Sequence, residues 1–103
     1  MKKQEEILSL GSIVTLKGSA KKMLIVGRAL LVNLPRGKVY FDYAACTYPE
    51  GIMGEQIAYF QQKDIQEICF HGFTDEEDSE VKQRIVSYKE EEYRNAGDGS
   101  EGI

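Results

Sequence analysis

Tryptophan is absent from the 103 residues, and there are only one histidine, two cysteines and two prolines. Each shortage closes a class of function. A zinc site takes about four Cys, His or acidic ligands, which Cys46, Cys69 and the lone His71 do not supply. Two cysteines set up no disulfide framework. Each lies in an apolar run, where cysteine packs as a small hydrophobe, so both are expected buried. A cysteine nucleophile needs a lowered pKa and a base within reach. His71 follows Phe70 in a strand pattern and reads as a half-exposed strand residue rather than that base.

Long apolar runs are missing too. None approaches the ~18–20 residues of a membrane span. Glu5 and Glu6 interrupt the stretch after Lys2 and Lys3 where a secretory signal would carry its apolar segment. The expected location is cytoplasmic. Basic charge is short as well: the net charge is -4, whereas a phosphate-tracking surface needs a local excess of Lys and Arg. Nucleic acid is therefore not expected as a partner. "GSIVTLKGS" lacks the spacing of a phosphate loop. Asp75 to Glu80 lacks the alternating oxygen ligands and central Gly of an EF-hand. No catalytic constellation, metal or cofactor is expected, and the protein reads as non-enzymatic.

What the chain does contain is a series of short strand patterns. Its length suits one domain, with a compact part at 10–96 and flexible termini at 1–9 and 97–103. "GSIVTLKG" (11–18) is apolar with Gly at each end. "KMLIVGRALLVNL" (22–34) is broken by Gly27, which marks a bulge or bend. Pro35-Arg36-Gly37 reads as a turn. "KVYFDYAACTY" (38–48) alternates, with Val39, Phe41, Tyr43 and Ala45 on one face and Tyr40, Asp42, Ala44 and Cys46 on the other. "EQIAYF" (55–60) and "QEICFHG" (66–72) complete the set, joined by a single helical turn in "QQKDIQ".

Thr74 and Glu77 have capping-box spacing, and Asp75, Glu76 and Asp78 crowd a first helical turn where the macrodipole favours negative charge. Val81, Ile85 and Tyr88 form one helical stripe, widened by Val86, and Asn95-Ala96-Gly97 is the expected stop. The expected fold class is α+β. Five short strands (about 12–72) form a strongly bent antiparallel sheet or an SH3-like barrel, and one acidic amphipathic helix (about 75–95) follows. The alternative to closure is an open sheet with the helix on one face.

Four tyrosines, Tyr40, Tyr43, Tyr48 and Tyr59, gather around "TYPEGIMG". Tyr43, Phe41, Ile57 and Phe60 suit a Trp-free core. Ile52 and Met53 sit on a connection longer than a hairpin needs, where Tyr and Met suit an interface. Tyr40, Tyr48, Pro49, Ile52, Met53 and Tyr59 are the candidate partner-binding residues.

"LGSIVTLKG", "KKMLIVGR", "FDYAACTYPEGIMG" and "YFQQKDIQEICFHGFTDEED" resemble successive blocks of the bacterial family catalogued as domain of unknown function 4176. "QQK" departs from the more Asn/His-rich and acidic link expected before Asp64-Ile65. The resemblance implies a small accessory factor, or chaperone, encoded beside LXG-type toxins of the type VIIb secretion system in Gram-positive bacteria. Such a factor binds the helical N-terminal domain of the toxin, and a small WXG100-type protein often joins. Pro49 and Gly51 would shape the connection, and Gly54 would return the chain to the sheet. An alternative binding face is the acidic helix surface of Glu76, Glu80 and Glu91. Alternative functions are an immunity protein on a toxin's effector domain, or an SH3-like nucleic-acid module using Lys17, Lys21, Lys22 and Arg28.

Overall fold

The structure, a computed structural model, describes residues 6–99, with side chains described as far as residue 91. It forms two compact units, a sheet unit spanning Leu8–Phe73 and a unit built on the C-terminal helix. In the sheet unit the elements are β1 (Ile13–Leu16), β2 (Lys22–Leu34), β3 (Gly37–Thr47), β4 (Ala58–Phe60), a 3₁₀ turn (Gln62–Asp64) and β5 (Ile65–Phe70). The helix α1 runs over Glu76–Gly99.

The strands form one antiparallel sheet in the order β4-β3-β2-β1-β5. The chain path is that of the expected barrel, but no ladder joins β4 to β5 and the sheet stays open. A long hairpin, β2–β3, is its spine, running from Met23↔Thr47 to Leu34↔Gly37 across Pro35-Arg36. Proline pre-sets the φ that the first turn position needs. Gly37, at φ 121°, takes the left-handed conformation that side chains avoid. Between Ile25 and Gly27 the register slips by one, leaving Val26 as the bulged residue. Gly27 lies against Ala44 and Leu30, where a Cβ would come within 3.4 Å of both side chains. The break that Gly27 signalled is this bulge, which bends and twists a strand otherwise too long for a small sheet.

Alternation along β3 places Tyr43 and Ala45 in the core with Leu8, Val14, Met23, Ile25 and Phe60. Asp42, Ala44 and Cys46 of the opposite face are buried too, so the middle of β3 is covered on both sides, as in a central strand. Asp42 has its polar groups met. Its N–H donates to Gln61 Oε1 at 3.0 Å, and its carboxylate accepts from the Gln62 N–H at 2.6 Å. Gln61 Nε2 also donates to the Tyr40 carbonyl at 2.7 Å. The "QQKD" link is thus stitched to β3 by its side chains.

Leu8 is only 3% exposed, and Ser9 is buried beside it. The loose lead-in expected over 1–9 therefore ends before Leu8. The Leu8 N–H donates to the Tyr43 hydroxyl at 2.9 Å, while its carbonyl accepts from Arg28 Nη1 at 3.2 Å. Residues 1–5 and 100–103 of the expected flexible termini lie outside the described residues.

Both sheet edges are blunted against further strand pairing. β4 is three residues long, shorter than the six expected, and β5 carries register slips at Gln66 and Cys69. Cys69 is exposed on that edge, against expectation, whereas Cys46 is buried; both are free thiols.

In the helical unit the cap is Asp75 rather than Thr74: its Oδ1 accepts from the Asp78 N–H at 2.9 Å. Asp78 also faces Lys82 at 3.4 Å, one turn on. Ile85 is the buried member of the stripe, with Tyr88 half-buried and Val81 and Val86 on the exposed side. The helix passes its expected stop at Asn95-Ala96-Gly97 and extends to Gly99. Gly within a helix costs only about 1 kcal/mol against Ala and does not end one alone.

Candidate functional site

The connection between β3 and β4, residues 48–57, leaves the sheet next to the chain that enters β2. Its first half is pinned at several points. The Tyr48 N–H donates to the Lys22 carbonyl at 2.9 Å, and the Gly51 N–H to the Thr47 carbonyl at 2.8 Å. Gly51 and Gly54 sit at φ 83° and 70°, conformations open to glycine at little cost. Lys21 Nζ reaches both oxygens of Glu50, at 2.9 and 3.1 Å. That hydrogen bond is the main cause of a Glu50 carboxyl held below its ordinary value.

A lowered pKa means that the link contributes at pH values above the ordinary carboxylate range and is lost as pH falls through the lowered value. The pair is exposed, and exposed pairs contribute little. Replacing Glu50 with Gln should leave the urea midpoint at neutral pH essentially unmoved; a large drop would mean that the loop depends on this one ion pair.

Held this way, the loop turns its apolar residues outward. Ile52 and Met53 are 60% and 59% exposed, with Tyr48 and Pro49 exposed beside them. Tyr59 lies back on β4, paired with Ala44 and with its ring 5.6 Å from that of Phe41. Tyr40 is half-buried and pairs with Leu31 in the outer part of the hairpin. It precedes Tyr48 by eight residues, or ~26 Å at the rise of an extended strand. Tyr48, Pro49, Ile52 and Met53 thus share one exposed connection, while Tyr59 lies on β4 beside Phe41 and Tyr40 in the far half of the hairpin. Tyr43 and Phe60 are core residues, as expected, with ring centroids 5.8 Å apart.

Further exposed apolar residues escaped the sequence reading. Phe73 is 80% exposed and Phe70 58%, with Leu10 and Ile68 also exposed. The register pairs Phe70 with Ile13 and Ile68 with Val14, so Phe70 and Ile68 lie on opposite faces of the sheet. Gly72 packs directly on the Leu10 backbone, and its N–H donates to Ser12 Oγ at 2.9 Å. Phenylalanines in a strand pattern read as core. The strand order, which puts β5 at an edge, places Phe70 at the surface, and Phe73 lies beyond the end of β5.

Of the four basic residues Lys17, Lys21, Lys22 and Arg28, two have partners and Lys17 and Lys22 are exposed. Lys21 is engaged by Glu50, and Arg28 by the Leu8 carbonyl. Among the described residues no group of three or more His, Cys, Asp or Glu side chains could hold a metal ion. No helix among them is long and apolar enough to cross a membrane.

No curated protein and no solved structure matches the chain. A family model does, over residues 7–81, from just before Leu8 to the second turn of α1, which takes in the whole sheet and the pinned connection. The chain belongs to the family described as Domain of unknown function (DUF4176).

Proposed function

We propose that this protein is a non-enzymatic adaptor that binds the helical N-terminal domain of an LXG-type toxin and helps deliver it to a type VIIb secretion system. The observation that carries the binding mode is the exposure of Ile52 and Met53 on a loop tied down by two main-chain hydrogen bonds and the Lys21–Glu50 pair. Apolar side chains on a flexible loop lose entropy when they bind. On a pre-formed loop that cost has been met in folding, which leaves more of the contact energy for affinity. The exposed Ile52 and Met53, with Tyr48 beside them in the chain, would meet the apolar stripe of a partner helix. The toxin class comes from the family resemblance, and the cytoplasm is where such a complex would assemble. A WXG100-type protein would join the same assembly.

The test is co-purification with the toxin's N-terminal domain. Ile52→Asp and Met53→Asp should each weaken binding about tenfold or more, the range of a central interface residue. Their melting temperatures should stay within a degree or two of the parent, because both side chains face solvent. Full binding by both variants would remove the loop from the site. Binding that collapses in high salt while tolerating both substitutions would shift the site to the acidic helix face of Glu76, Glu80 and Glu91. Capture by the toxin's C-terminal effector domain instead would make the protein an immunity factor.

A further inference from the structure

We draw no further inference here: the strongest candidate, the exposed apolar surface of Phe70 and Phe73 at the end of β5, carries none because nothing in the structure shows what covers it and the register slips in β5 interrupt the edge that a partner strand would need.

Discussion

Gly72→Ala should be among the most damaging single-methyl changes in the protein. A Cβ at this position would overlap the carbonyl oxygen of Leu10 and stand 2.9 Å from both the Leu10 carbonyl carbon and the Ser12 nitrogen. These are backbone atoms, so no rotamer change relieves the clash. Moving them disturbs a tightly bonded corner. The Gly72 N–H donates to Ser12 Oγ, that hydroxyl donates to the Ser9 carbonyl, and the Ser12 carbonyl accepts from the Ile25 N–H. Ser12 is fully buried, so polar groups parted there lose their partners without gaining water. A loss of about 3 kcal/mol or more is expected, from a total stability on the order of 5–15 kcal/mol. Urea denaturation should show the midpoint falling steeply or the cooperative transition vanishing.

Gly54→Ala is the control. Nothing lies within 4 Å of its Cβ direction and only its positive φ resists substitution, so about 1 kcal/mol is expected there. Equal losses at the two sites would mean that Gly72 does not pack on Leu10.

The second large effect centres on Tyr43. Its side chain is fully buried, and its hydroxyl accepts from the Leu8 N–H while donating to Gln62 Oε1. One hydroxyl thereby joins the chain entering the sheet, strand β3 and the link into β5. Tyr43→Ala should cost ~3–5 kcal/mol through the lost ring contacts and the cavity left behind. Tyr43→Phe isolates the polar part, keeping the ring against Phe60 while stripping the Leu8 N–H of its partner in a dry site. A loss of about 1–3 kcal/mol is expected. Amide exchange at Leu8 should quicken more than at core amides of β2. If Tyr43→Phe is neutral, the hydroxyl is no clasp, and the burial of Leu8 needs another cause.

Strand and helix positions were largely readable because they rest on local chemistry. The alternation through Tyr43 and Ala45, the break at Gly27 and the turn at Pro35-Arg36 all appear where short-range rules put them. Errors of a residue or more fell at ends, as when Asp75 rather than Thr74 took the cap. Both residues can cap, and one position separates them. The burial of Leu8 was illegible because it depends on a hydroxyl 35 residues away. The roles of Gln61 and Gln62 were hidden for the same reason: a polar link looks like solvent-facing chain until β3 is set beside it. Exposure of Phe70 and Cys69 followed from strand order, which no local pattern encodes.

In the candidate site, the surface position of Ile52 and Met53 was legible because a connection of that length runs over the outside of a small domain. Tyr40 lies apart from them in the chain's extended path. Nearness in sequence along an extended strand becomes distance, and Tyr40 belongs to the far half of the hairpin.

In the proposed mode of action, the protein presents the Tyr48–Met53 loop to another polypeptide. Amide hydrogen exchange, measured on the protein alone and saturated with the toxin's N-terminal helical domain, tests it most directly. New protection concentrated in residues 48–54 is the expected result. Protection confined to residues 65–73 or to α1, with the loop unchanged, would contradict it.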